Sequence, residues 1–515
     1  MSQLMVMQES ETTPCVVGGL VLLSAKDDNN NNIEEKIHRI DRKAFEERLK
    51  ERLLQRYVRF RSILVSESEY IDIGVDEVCL ENHVKYEMLN LSKEKSEDEI
   101  LSELIGSRLF SPFKPVENSQ VKGVIPLWEC IVIENYSRGL ILFFRIHHWI
   151  GDGTLLQKIV GTDLLDNEKE ASEYVQSKFD KIMKGSHSNW NSALTIINNL
   201  TGKLNRIPLL GSLVSYCIGF FLKILAFVAT FFLILGIGVK GEPDTMFRAS
   251  KKHPKCGQVT CSFIWFNDTE QLRDDENDLR NETDKYFTVP EFKKVAKKLD
   301  GKLNDLFLSL LSGASDRYRL KLSAKESSNM QEREKLLSTT NARMGMGVNI
   351  RSTESKSQSG NIVGVIFGSI PLNIQLIEEP QKRFETVRNN MNFAKFLPQP
   401  YFNRYLLWLG TALLPKKMAV SLMNWGAAST TFTCSNVQGF EADDKLKYTM
   451  LGRNIVQGAG FIPLVSAVAV NCTLMTFNDR VGLSIVCDKG IIQDIHMYAE
   501  CFREEFIALR KSLDL

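Results

Sequence analysis

Between Pro208 and Val239 the chain reads PLLGSLVSYCIGFFLKILAFVATFFLILGIGV, about 32 residues in which Lys223 is the only charge. No other feature limits the fold as sharply, because such a run must be covered either by protein or by lipid. One bilayer crossing needs about 20 apolar residues and two need about 40, so the length falls between a single span and a full hairpin. Both flanks are basic, with Lys203 and Arg206 before the run and Lys240, Arg248, Lys251 and Lys252 after it. If the preference of cationic flanks for the cytosol applies at both ends, both ends are cytosolic. That favours a re-entrant or monotopic hairpin, with Lys223 snorkelling or facing protein. The alternatives are a buried pair of core helices and a single oblique crossing. The second of these would put residues 1–200 and 250–515 on opposite sides.

The remaining sequence is that of a large folded protein. At 515 residues it exceeds what one hydrophobic core usually serves, so two domains or a two-lobed architecture is expected. The 64 basic and 63 acidic side chains leave a formal charge of +1, which attracts no nucleic acid over long range. The ten cysteines are scattered, without a CxxC or a spacing to histidine that would build a zinc site, so they are expected as reduced thiols facing the cytosol and no metal is expected. Glu9 and Glu11 precede the first apolar run and no Lys or Arg appears before Lys26, a poor signal peptide.

Short Val- and Leu-rich runs predict strands at 15–23, at 258–266 and within 345–351, 360–374, 430–440 and 470–489. Residues 129–148 read as two strands joined near Ser137 to Gly139. The apolar spacing of Phe45, Leu49, Leu53 and Leu54 predicts a helix over 41–57. Further helices are expected from about Thr154, from about Pro290 to Lys298, and over KLNDLFLSLLSGAS (302–315) with Asn304 or Asp305 near its N-terminus. KDDNNNN (26–32) and the charged stretch 267–287 read as loops, and 160–205 as a polar linker. Strands mixed with helices in both halves imply an α/β fold. One lobe is expected over 1–195, a linker with the apolar segment over 196–250, and a second lobe over 251–515.

The chain has seven histidines, and two of them stand together in FFRIHHWIGDG. If 139–147 is a strand, neighbouring side chains point to opposite faces, so His147 and His148 cannot both aim at one site, which weakens a metal reading. One would face the core and the other a cleft. Asp152 would accept backbone N–H bonds or an Arg and so hold the turn that presents the cleft histidine. A histidine with a pKa near 6.5 can take a proton from an alcohol at neutral pH. The same residue types also fit two structural histidines beside an Asp-Gly turn.

HHWIGDG resembles the HHxxxDG motif of acyl-CoA-dependent acyltransferases and of the condensation domains of peptide synthetases. PLWE (126–129), LND (303–305), GVNIR (347–351), GNIVG (360–364) and SNVQG (435–439) follow in the order seen in the wax ester synthase/diacylglycerol acyltransferase family. VVGGLVLL near the start and RYVRFRSILV (56–65) are similar to it as well, and the apolar insert resembles that of eukaryotic members. The family's SNVPGP is here SNVQGF, with Gln438 and Phe440 in place of two prolines.

The resemblance implies a two-lobed chloramphenicol-acetyltransferase-like fold with mixed sheets and a membrane-associated helical insert. It implies His148 as catalytic base, with His147 in support and Asp152 and Gly153 shaping the turn. Asn304, Asp305, Pro126, Leu127, Trp128, Ser435 and Asn436 are implied as substrate-site residues, with Asn304 helping to hold developing negative charge; for Pro126, Leu127 and Trp128 packing is preferred to a part in the substrate channel. The implied reaction moves a fatty acyl group from acyl-CoA to a long-chain alcohol or a diacylglycerol, with no cofactor beyond the co-substrate. Membrane lipid is the expected partner and nucleic acid is not. The implied place is the endoplasmic reticulum membrane with the site facing the cytosol, or lipid droplets. A condensation-type enzyme with another donor, and a non-catalytic lipid-binding relative, are the rival readings.

Overall fold

A computed structural model describes residues 15–25, 38–66, 69–109, 111–113, 125–174, 192–204, 211–243, 245–250, 253–264, 287–325, 337–350, 363–437, 439, 448–477 and 479–515. The loops expected at 26–32 and over nearly all of 267–287, together with Arg351, Gln438 and Phe440, lie outside them. In chain order the strands are β1 (Val16–Ser24), β2 (Ser62–Leu64), β3 (Tyr70–Asp72), β4 (Val84–Glu87), β5 (Trp128–Tyr136), β6 (Gly139–His147) and β7 (Val259–Ile264). They continue as β8 (Thr340–Asn349), β9 (Val363–Leu372), β10 (Phe432–Val437), β11 (Thr449–Met450), β12 (Arg453–Phe461), β13 (Val470–Phe477) and β14 (Arg480–Asp488). The helices are α1 (Arg42–Leu49), α2 (Glu97–Leu109), α3 (Gly153–Lys158), α4 (Ser192–Leu204), α5 (Gly211–Lys240) and α6 (Val289–Lys298). They end with α7 (Leu303–Lys325), α8 (Pro380–Phe396), α9 (Gln399–Leu413), α10 (Lys416–Ala428) and α11 (Ile495–Lys511).

Two six-stranded mixed sheets organise these elements, in the orders β11-β12-β1-β6-β5-β4 and β7-β14-β13-β10-β8-β9. The first does not respect the expected lobe boundary. β11 and β12, from the second half, join it, and β12 pairs antiparallel with β1 from Gly18↔Phe461 to Leu23↔Ile455. Residues 251–515 are therefore not confined to one lobe. β1 can sit between two neighbours because both its faces are apolar: Val17, Val21 and Leu23 enter one core, Leu20 and Leu22 another. That second core lies between the sheets, where α2 supplies Leu101, Ile105 and Leu109 against Cys261, Phe263 and Val486 of the second sheet.

Local signals start the helices where expected. Asp41 caps α1 by accepting from Ala44 N (3.1 Å), and Thr288 caps α6, which has Pro290 in its first turn. The stretch read as a polar linker contains α4, and a π-turn follows α3 over Ile159–Asp163.

The apolar run forms one continuous 30-residue helix, α5, not a hairpin within 208–239. The fold-back occurs before it: α4 packs on the start of α5, where Ser215 Oγ donates to Thr201 O at 2.7 Å and a Cβ at Gly219 would lie 2.8 Å from Thr201. At the far end Arg343 donates to Ile237 O and Gly241 O, both at 3.3 Å, tying α5 to β8. Val214–Ile237 is long and apolar enough to cross a membrane and is only 22% buried. A crossing that separates the two halves is excluded, because β1 and β12 are hydrogen-bonded strands of one sheet.

His83 reports on the integrity of the first core. Its ring stacks on Trp128 at 4.4 Å and 11°, and its Nδ1 donates to Trp128 O at 2.8 Å. Burial pushes its pKa down from 6.5 to about 4. The unfolded chain binds this proton where the folded one does not, so the stability present above pH 6.5 is lost as pH falls toward 4. Urea unfolding should show a loss of about 2 kcal/mol from this group between about pH 7 and pH 5. His83→Phe should remove that part of the slope.

Candidate active site

β6 delivers the histidine pair and then turns. Strand alternation separates the two rings as expected. His147 is buried, and its Nδ1 accepts from Trp149 N at 3.0 Å. His148 is half-buried and lines a cavity of about 370 Å³, within the ~300–1,000 Å³ of small-molecule sites. Its backbone N–H donates to Cys15 O at 2.7 Å, which joins the turn to the start of β1. Its Nδ1 lies 3.0 Å from Gly151 O. A carbonyl can only accept, so Nδ1 carries the proton and the basic lone pair belongs to Nε2.

Asp152 is buried and caps α3, with Oδ1 accepting from Leu155 N at 3.1 Å. Arg59, from the RYVRFRSILV stretch, donates to Trp149 O at 2.7 Å and holds the turn from outside. Desolvation lowers the His148 pKa from its ordinary value, and the Asp152 charge opposes that shift. Gly153 opens α3 on the cavity wall, and a Cβ there would meet only Val437, at 3.8 Å.

The second half completes the cavity. β10 runs parallel to both β8 and β13, and alternation puts Thr433, Ser435 and Val437 on the cavity face. Asn436 takes the other face, where its Nδ2 donates to Asn304 Oδ1 at the start of α7. Asn304 and Asn436 are thus brought together, but neither lines the cavity. Asp305 is buried, accepting from Lys302 N at 2.9 Å and pairing with Lys395 Nζ at 3.3 Å, so it caps α7 and anchors α8, and it does not line the cavity.

Pro126, Leu127 and Trp128 also lie off the cavity. Trp128 is fully buried and donates from Nε1 to Phe60 O at 2.7 Å, and Leu127 packs against the same core. β5 begins here and turns its large side chains toward α1 and the segment before β2, an arrangement that fits the packing reading. His147 likewise supports the turn and does not line the cavity.

Several lining residues had no sequence expectation. Thr433 Oγ1 is buried without a hydrogen-bond partner among the described residues. Counting two positions back from Ser435 along a strand would have found it. Gln157 lies one helical turn beyond Gly153. Leu406, Leu407, Leu422 and Met423 come from α9 and α10, whose apolar sequences carry no mark of which face is inward. The motif glycine Gly364 lets α9 approach β9: a Cβ there would lie 2.6 Å from Pro400. Asn403 Nδ2 then donates to Val365 O at 2.7 Å.

The WS/DGAT C-terminal domain family matches residues 359–510. No curated protein sequence matches the chain. Among solved structures, the fold is similar to that of the wax ester synthase/diacylglycerol acyltransferase from Marinobacter aquaeolei VT8, with a TM-score of 0.57 and 14% identity over 100% of this chain and 98% of that one. It is also similar to the first condensation domain of the calcium-dependent antibiotic synthetase, at a TM-score of 0.50 and 8% identity, over 99% of this chain and 95% of that one.

Asp152 has two separable roles, as cap and as charge. Asn caps as well as Asp, so Asp152→Asn should leave the thermal midpoint near wild type and lower the His148 pKa, read by NMR titration of the imidazole. Asp152→Ala should also cost about 1 kcal/mol of stability. Equal destabilisation by both substitutions would contradict this division.

Proposed function

With a WS/DGAT C-terminal domain over residues 359–510, the chain belongs to the wax ester synthase/diacylglycerol acyltransferase family, and we propose that it moves a fatty acyl group from acyl-CoA to the hydroxyl of a long-chain alcohol, a diacylglycerol, or both. His148 is the general base. The observation that carries this reading is the His148 tautomer: Gly151 O holds the proton on Nδ1, which leaves Nε2 as the basic nitrogen of a residue lining an apolar cavity.

The reaction is a single displacement. His148 Nε2 takes the hydroxyl proton as the alcohol oxygen attacks the thioester carbonyl. The C–O bond forms, the carbonyl π pair moves onto oxygen, and the tetrahedral oxyanion collapses by breaking the C–S bond. The imidazolium returns its proton to the departing CoA thiolate. Thr433 Oγ1 supplies a hydrogen bond to the oxyanion, supported by its buried, unpartnered state on the cavity wall. Asn304, held by Asn436 outside the cavity, acts on the position of β10 and not on the oxyanion. No metal or prosthetic group takes part.

The enzyme works at a membrane, the endoplasmic reticulum with the cavity on the cytosolic side or the surface of lipid droplets. Support comes from α5, whose apolar surface is mostly uncovered by protein.

Labelled acyl-CoA supplied with hexadecanol or with diacylglycerol tests the reaction and identifies the acceptor. His148→Ala should lower turnover by at least ~100-fold with an unchanged fold, and wild-type turnover would reject the base. Only the neutral imidazole accepts a proton, and burial lowers its pKa. The acid limb of kcat/KM should therefore fall below the ordinary histidine value, with a flat rate above it. A limb above about pH 7 would exclude His148 as the base.

A further inference from the structure

α9 and α10 form a wall with two apolar sides. Leu406 and Leu407 of α9, with Leu422 and Met423 of α10, face the cavity. On the opposite side Tyr405 is 67% exposed, Trp408 60% and Leu413 72%, and Met418 is exposed as well. A helix at a water boundary turns a charged face outward, and these two do not. From Gln399 to Ser429 the only charges are Arg404, Lys416 and Lys417, with no Asp or Glu.

The exposed side is continuous with α5. Phe227 and Phe231 of α5 lie 6.4 and 6.3 Å from Phe402 of α9, and Ile234 of α5 reaches the cavity itself. A surface that is aromatic and aliphatic and extends a membrane-length apolar helix matches the acyl-chain region of a bilayer.

We infer that α9 and α10 form a doorway immersed in a lipid bilayer, through which the apolar acceptor passes sideways from lipid into the cavity without entering water. The inference rests on the acyl-transfer reading for its substrate. It goes beyond that reading in assigning the route and the two helices that make it.

The full-length protein in vesicles of phosphatidylcholine and phosphatidylserine provides the test. The triple variant Tyr405→Asp, Trp408→Asp, Leu413→Asp keeps α5 and the cavity-facing side chains. Its turnover of hexadecanol dissolved in the vesicles should fall about tenfold or more, since three large apolar side chains no longer enter lipid. Turnover of water-soluble hexan-1-ol should remain within about twofold of wild type. An unchanged hexadecanol rate, or an equal loss on both alcohols, overturns the doorway.

A second measurement needs no catalysis and no charged variant. Brominated phosphatidylcholine should quench wild-type tryptophan fluorescence more than that of Trp408→Phe. Equal quenching of the two, or a wild type in which this face is covered by a second copy of the chain, overturns the inference even if acyl transfer is confirmed. If wild type transfers no acyl group but Trp408 is quenched by lipid, the proposed reaction fails and the lipid contact of the doorway stands.

Discussion

β1 is hydrogen-bonded along both edges, to β6 on one side and β12 on the other, and the site depends on that arrangement. It brings a strand from the end of the chain beside the strand that carries the histidines. Two adjacent glycines make the packing around it possible. A Cβ at Gly18 would lie 2.6 Å from Leu109 of α2, and one at Gly19 would lie 2.8 Å from Leu156 of α3. A larger residue at either position would force the Leu109 or Leu156 side chain to move out of its present packing. Gly18, Gly19 and their neighbours also form cavity wall, so the element that joins the halves is part of the site.

The turn after β6 then needs little further machinery. Cys15 O fixes the His148 backbone, Gly151 O fixes its tautomer, and Asp152 is occupied with the first turn of α3. Each bond satisfies a polar group that burial would otherwise leave costly. Desolvation lowers the His148 pKa and the Asp152 charge opposes that shift, which is the setting the proposed base requires.

Much of the site was legible in residue types and order. The strands around the histidines, their separation onto opposite faces, the Asp-Gly turn and the start of α7 all follow from local signals: alternation, capping residues and glycine. Long-range pairing was not legible. Nothing in RNIVQGAGF says that β12 leaves the second half to join β1, since its partner is chosen by shape across the whole chain. Nor does PLW or LND say whether a side chain packs or touches substrate. Motif position drew Trp128 and Asp305 toward the site, whereas in the structure Trp128 bonds Phe60 O within the first core and Asp305 pairs with Lys395, both away from the cavity lining.

The apolar run makes the same division. By itself the sequence determined that residues 208–239 need a nonaqueous or buried environment, and that HHWIGDG separates two histidines and caps a helix, because periodicity and capping act within a few residues. Only the tertiary structure decided that the run is one helix folded back on α4, that both halves share a sheet, and that Thr433, α9 and α10 close the cavity around His148. The shared sheet and the cavity depend on contacts between residues hundreds of positions apart, where apolar side chains are interchangeable in sequence and distinguishable only by what they pack against.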